Sequence, residues 1–204
     1  MNQKILFLCG MLFPVVYIVM TILGGALRPG YSHISDTVSE LLSPGVPNKS
    51  LLIVFQISHA LLGILFGIGV LLFVRASERG APIGIIGAGM IIVVGVGTVA
   101  TAIFPQDPFG APLTFPGKVH NILVFGVLVP FTLLSMLLIG IWLKQAGIFP
   151  WFRTYSFITI GASILLAGLA GATLGSRVMG LTERLAVLAG FQWTFVLALM
   201  LFLR

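Results

Sequence analysis

Six apolar runs, at about 5–27, 50–74, 81–104, 119–143, 154–176 and 185–203, are separated by short polar stretches. A helix needs about 20 residues to cross the roughly 30 Å hydrocarbon core of a bilayer. The pattern therefore predicts an all-α polytopic membrane protein, a six-helix transmembrane bundle forming one domain over residues 1–204. The first run exceeds the roughly 7–15 residues of a signal-peptide core, so it is expected to stay in the protein. Pro14 inside that run predicts a kink, with neighbouring helices meeting the freed carbonyl. Small residues four apart, at Gly63 and Gly67, at Gly84 and Ala88, and at Ala167, Gly171 and Gly175, predict faces where helix backbones approach closely.

The stretch 28–43, RPGYSHISDTVSELLS, breaks this pattern with dense polar chemistry: one of the three histidines, two of the five acids and four serines. Read as a short amphipathic helix over 34–42, it puts Ile34, Val38, Leu41 and Leu42 on one face and His33, Asp36 and Glu40 on the other. Ser32 or Ser35 can cap its start, and Ser43-Pro44-Gly45 ends it. At nine residues the helix is too short to span and is expected at the membrane interface. Asp36 and Glu40, one turn apart near a low-dielectric boundary, call for a cation, either an arginine or a metal ion.

Composition agrees. With 58% hydrophobic and 8% charged residues and a mean hydropathy of +1.16, the chain is unlike a soluble domain, which carries about 25% charged residues. The formal charge of +6 comes from cations placed singly between apolar runs, so it marks membrane orientation and not nucleic-acid binding. The lone Cys9 excludes an internal disulfide and is expected to be a small lipid-facing or packing residue. Of the Lys and Arg residues, six fall on the side of the termini (Lys4, Arg75, Arg79, Lys144, Arg153, Arg204) and five on the other. The acids are more lopsided, since Asp36, Glu40, Asp107 and Glu183 share the second side and Glu78 alone lies on the first. The expected orientation is a multi-pass cell-membrane protein with both termini cytoplasmic. Trp142, Trp151 and Phe152, with Arg153, read as an interfacial belt on the cytoplasmic side.

Two further connections complete the polar face. In 104–117, FPQDPFGAPLTFPG, four prolines forbid a helix, and Asp107 is followed by Lys118, His120 and Asn121 at the start of the fourth span. In 175–185, GSRVMGLTERL, Gly180 suits a helix end and Thr182 an N-cap, with Glu183 in the first turn. His59, next to Ser58 and near Gln56, lies roughly 13 Å inside the second span at 1.5 Å per residue. An ionisable group at that depth must face the bundle and find a partner. The candidate catalytic residues are His33, Asp36, Glu40 and Asp107. The candidate substrate-binding residues are Arg28, Ser32, Ser39, Asn121, Arg177, Glu183 and Arg184, and the candidate metal ligands are His33, His59 and His120. His33, Asp36, Glu40, His59, Asp107 and His120 are expected to line one cavity, with Arg28, Arg177 or Arg184 among them.

RPGYSHISDTVSELLSPG after the first span, FPQDPFG after the third, HN opening the fourth and GLTERL before the sixth together resemble the bacterial and fungal membrane-protein family known as domain of unknown function 998. The resemblance covers essentially the whole chain and implies a six-span fold with a shared polar face. Arg28, Ser32, His33, Asp36, Ser39, Glu40, Asp107, His120, Glu183 and Arg184 fall within its motifs. The Ser, Asp and His set is also similar to that of the seven-span ceramidase and adiponectin-receptor superfamily, but the pair of ligating histidines four apart in a late helix is missing here.

Three function classes follow. One is a hydrolase or transferase whose histidines hold a divalent metal such as zinc and whose metal-bound water acts on a lipid or lipid-linked substrate. Another binds haem or a quinone through His59 and His120. The third is a transport or interaction module. The bilayer is the expected partner in every case, nucleic acid in none, and the oligomeric state is open.

Overall fold

The structure is a computed structural model describing residues 3–77 and 81–204, so Glu78 and Arg79 lie outside the described residues. It is helical: α1 (Gln3–Leu27), α2 (Lys49–Arg75), α3 (Ala81–Ile103), α4 (Phe115–Leu123), α5 (Val129–Gln145), α6 (Phe152–Ala172) and α7 (Met179–Leu203). A π-helical segment, Val124–Leu128, joins α4 to α5, and these three pieces form the fourth span, Phe115–Gln145. Among the described residues, six helices are long and apolar enough to cross a membrane, which matches the expected six-span bundle. The widened π turn sits just before Pro130, which has no N–H for the carbonyl one turn back; an i→i+5 turn from Val129 N–H to Val124 O accommodates that loss.

The spans close into a ring. α1 packs on α2 and α7, α2 on α3, α3 on α5, α5 on α6, and α6 on α7. At the end that holds both termini, the middle of the ring is filled by Phe7, Val74, Trp142, Phe152, Trp193 and Leu201, all almost wholly buried. Trp142 and Phe152 are therefore core residues and not part of an interfacial belt, whereas Trp151 is exposed. Large rings inside the bundle gain more from dispersion and packing than they would at the interface. Cys9 is buried, so of the two expected roles it takes packing and not a lipid-facing position.

The opposite end is closed by the 28–48 loop. Its short helix is a single 3-10 turn, Ser39–Leu42, and the residues before it form turns. The expected helix over 34–42 is thus confined to its last four residues. The apolar face is largely as predicted: Val38, Leu41 and Leu42 are buried with Met20 and Leu52, while Ile34 is exposed. Each such burial is worth about 1.5–3 kcal/mol relative to water, which anchors the loop as a lid on the ring.

Two of the three small-residue stripes do pack. A Cβ at Gly67 would meet Ile92 Cγ1 at 2.7 Å and its backbone nitrogen at 3.0 Å, and one at Gly84 would meet Val74 and Trp142. The third does not pack as a helix stripe. Gly171 faces open space, and Gly175 meets only the exposed ring of Phe109. Gly67→Val should therefore lower stability by about 1–3 kcal/mol through overpacking, while Gly171→Ala leaves it nearly unchanged. Thermal unfolding in detergent, followed by tryptophan fluorescence, checks both.

Candidate functional site

The lid is held by side chains that serve its main chain. Ser32 starts a turn in which its hydroxyl accepts from the N–H groups of Ile34 (3.3 Å) and Ser35 (3.4 Å). Asp36 turns back to accept from Ser32 N–H at 2.9 Å and from the Ser35 hydroxyl at 3.0 Å. Thr37 and Glu40 form a reciprocal capping pair: Glu40 accepts from Thr37 N–H at 2.9 Å, and the Thr37 hydroxyl accepts from Glu40 N–H at 3.4 Å. The other Glu40 oxygen reaches the 104–114 segment at Phe109 N–H, 3.2 Å away. Ser43 ties the same two segments by donating to Gln106 O at 2.9 Å.

The cation expected beside Asp36 and Glu40 reaches these residues at their carbonyls instead. Arg28 donates to Glu40 O at 2.8 Å, and Arg184 donates to Asp36 O at 2.8 Å and His33 O at 2.9 Å. Both guanidiniums lie against the ring of Tyr31, 5.5 and 5.7 Å from its centroid. Burial pushes the Tyr31 phenol up to about 12, against the pull of Arg184. It therefore stays protonated, donating to Thr37 O at 2.8 Å and accepting from Arg184.

The first turn of α7 completes the lock. Leu181 N–H donates to Ile34 O at 2.9 Å, and Glu183 accepts from Val38 N–H at 2.7 Å. An orphan N–H of a helix start is thus satisfied by the lid, and a lid N–H by the helix. α7 begins at Met179, so Gly180 lies inside its first turn and does not end a helix. A Cβ there would strike Asp36 O at 2.2 Å, which is why glycine fits. Thr182, expected as the N-cap, lies inside that turn as well and pairs its hydroxyl with that of Thr173 at 2.6 Å.

Beneath the lid the ring holds a cavity of about 520 Å³, mostly apolar, walled by α1, α2, α3, the fourth span, α6 and α7 and roofed by Val38, Ser39 and Leu42. His59 and His120 both line it, as do Ser39 and Glu183. The other candidates lie elsewhere. His33 is exposed with its ring against Gly25 and Tyr31, and desolvation, then the Arg184 charge, hold it below the usual histidine range. Asp107 is buried and bonded to Thr114, at 2.8 Å to its N–H and 2.9 Å to its hydroxyl, so it braces the N-cap of α4. Arg28, Ser32, Asp36, Glu40 and Arg184 build the lid, Asn121 is half-buried away from the cavity, and Arg177 is exposed. Of the six residues expected to share one cavity, His59 and His120 do, while Asp36, Glu40 and Asp107 are committed to hydrogen bonds within their own loops and His33 lies outside.

Each cavity histidine is fixed through Nδ1. His59 lies 2.8 Å from Phe13 O and stacks on the Phe13 ring at 3.9 Å; His120 lies 2.9 Å from Phe104 O. Among the described residues, no group of three or more His, Cys, Asp or Glu side chains is placed to hold a metal ion. His33, outside the cavity lining, does not join the other two. Sequence reasoning passed over Gln56, Thr98, Thr101 and Ser163, which also line the cavity. Two signals were legible. Gln56 lies three residues before His59, on the same helix face, and Ser156, Thr159 and Ser163 form a polar stripe at helical spacing on α6, all buried.

Four buried side-chain atoms have no hydrogen-bond partner among the described residues, and three of them, Gln56 Oε1, His120 Nε2 and Ser163 Oγ, belong to cavity-lining residues. The fourth, Arg184 Nε, lies outside the lining. Buried polar atoms are costly when unpaired and are ordinarily satisfied, so their gathering at one cavity marks it as the candidate site.

Residues 11–200 of the chain match the family described as protein of unknown function, DUF998. No curated protein and no solved structure matches the chain.

Arg184→Ala should release the lid, since each lost hydrogen bond to a charged donor is worth about 1.5–3 kcal/mol. Hydrogen exchange of residues 31–43 is expected to quicken by at least tenfold, with Arg177→Ala as an unaffected control.

Proposed function

We propose, for a chain that belongs to the DUF998 family of six-span membrane proteins, that the bundle takes a lipid or lipid-like amphiphile from the bilayer into the cavity beneath the lid. The observation that carries this reading is the cavity itself: its 520 Å³ or so falls within the roughly 300–1,000 Å³ of small-molecule sites, and an apolar wall with a few polar groups is their usual make-up. Entry from the membrane side is supported by the packing of α6. Its main partners are α5 and α7, whereas those of α4 are α3 and the π segment. Ser163, Ile164 and Ala167 of α6 and His120, Val124 and Leu128 of the fourth span line the same cavity. Gly161, Gly168 and Gly171 on α6 face open space that lipid would fill. In this reading the lid side is the non-cytoplasmic face and both termini are cytoplasmic, which a C-terminal topology reporter checks.

Gly190 offers the test. It lines the cavity, and a Cβ there would make only ordinary contacts, 3.6 Å to Met136 and 3.7 Å to Thr132. Gly190→Phe should occupy the space without disturbing the lid. Mass spectrometry of lipid retained by the protein in dodecyl maltoside should find bound lipid in the wild type and at least tenfold less in the variant, at similar thermal stability. Equal retention in both would overturn the reading.

One observation favours a second reading. His59 and His120 line one cavity, each with Nδ1 against a main-chain carbonyl, and such a bond orients imidazoles that ligate metal through Nε2. A haem between α2 and α4, or a quinone, would use the same pair. An absorption spectrum of protein from haem-supplied cells tests it: a Soret band lost in both His59→Ala and His120→Ala supports haem, and a spectrum without one rejects it.

A further inference from the structure

The hydrogen-bond network around the cavity fixes what kind of head group it takes. Phe104 O can only accept, so the proton of the His120 bond sits on Nδ1. In the neutral ring, Nε2 is then a lone-pair acceptor. The same logic applied to Phe13 O makes His59 Nε2 an acceptor. Gln56 is fixed by a longer chain. The Thr101 hydroxyl donates to Thr98 O at 2.8 Å, so its hydrogen is committed and it can only accept from Gln56, whose Nε2 lies 3.3 Å away. The amide is thereby oriented with its NH₂ on Thr101, leaving Oε1 as the acceptor without a donor.

These groups converge. Thr101 lies in the last turn of α3 and Phe104 just beyond its end, within one turn of each other, so the bonds they make bring Gln56 and His120 to the same end of the cavity. Both side chains are more than nine-tenths buried, at 8% and 7% exposure. Among the described lining residues, Glu183 is the one with a formal charge, and neither Lys nor Arg is present. The wall thus offers two fixed acceptors, a carboxylate and the Ser163 hydroxyl, which can donate or accept, with no cation to receive an anion.

Resting on the reading that the cavity takes an amphiphile, we propose that its ligand is an uncharged hydroxyl-bearing lipid, of the acylglycerol or long-chain alcohol class, whose hydroxyls donate to Gln56 Oε1 and His120 Nε2. A carboxylate or phosphate head would face unpaired acceptors and the Glu183 charge. An ammonium could donate, but the carboxylate of the lining, Glu183, is already engaged by Val38 N–H at the roof, and burying a charge without a free partner costs far more than burying a hydroxyl.

The test uses one chain length with four heads: 1-oleoylglycerol, methyl oleate, oleate and oleylamine, titrated calorimetrically into the full-length protein in dodecyl maltoside. Oleoylglycerol should bind at least tenfold tighter than methyl oleate, which has an ester and no hydroxyl. That margin should shrink to less than threefold in Gln56→Met and in His120→Phe, with methyl oleate affinity unchanged as the sign that the cavity is intact. If oleoylglycerol and methyl oleate bind equally and Gly190→Phe abolishes both, the amphiphile reading stands and the hydroxyl assignment falls. Preference for oleate or oleylamine also overturns the assignment. Failure of all four to bind overturns both.

Discussion

An irregular segment can close a transmembrane bundle only if its own N–H and C=O groups find partners, because neither lipid nor an apolar cavity supplies any. Here the 28–48 lid meets that requirement with charged side chains, and the first turn of α7 provides the decisive ones. Glu183 accepts from the lid's Val38 N–H while Arg184, the next residue, donates to the His33 and Asp36 carbonyls. Adjacent residues of opposite charge thereby serve opposite polarities of one backbone. The lid's burial of Val38, Leu41 and Leu42, the closure of the ring and the shelter of the cavity all rest on that arrangement.

The bundle was legible because hydropathy alone separates its spans, and the lid because polar density between two spans is rare. Less legible was what the acids do. TVSE over Thr37–Glu40 is a capping box that sequence spacing displays, and it gives Glu40 a local task that needs no cation. Asp36 and Glu40 are not free helix-surface charges in want of a cation, since each carboxylate is occupied by N–H groups of its own loop. Trp142 and Phe152 were misplaced for a related reason. Aromatics near a span end favour the interface on average, but α5 and α6 meet there at the closed end of the ring, where their rings are needed as filling. The orphaned acceptors of the cavity depend on bonds between residues 16 and 45 positions apart, so no local pattern could show them.

The ring has one filled end and one hollow end, and side-chain size decides which is which. Where α1 begins and α7 ends, bulky rings from several helices meet in the middle. Toward the lid, the inward positions include Gln56, His59, Thr98, Thr101, Ser163 and Gly190, with the rings of Phe13, Tyr17 and Phe191 at the wall. Threonines and serines on a helix can return their hydroxyls to the preceding turn, as Thr98 does to Val94 O and Thr101 to Thr98 O. They therefore line a cavity without needing a partner across it. Histidine and glutamine cannot satisfy every atom in that way, and the atoms left over belong to them and to Ser163.

Charge is partitioned by the same economy. Arg28 and Arg184 direct terminal guanidinium N–H groups to the lid's carbonyls and lie against the Tyr31 face, and neither belongs to the cavity lining. Had either turned inward, the site would suit an anion, and the lid would lose the donors that hold its backbone. The acceptor character of the cavity is therefore coupled to how the lid is built. A change that frees an arginine from the lid alters both the closure of the bundle and the sign of charge its interior can accept.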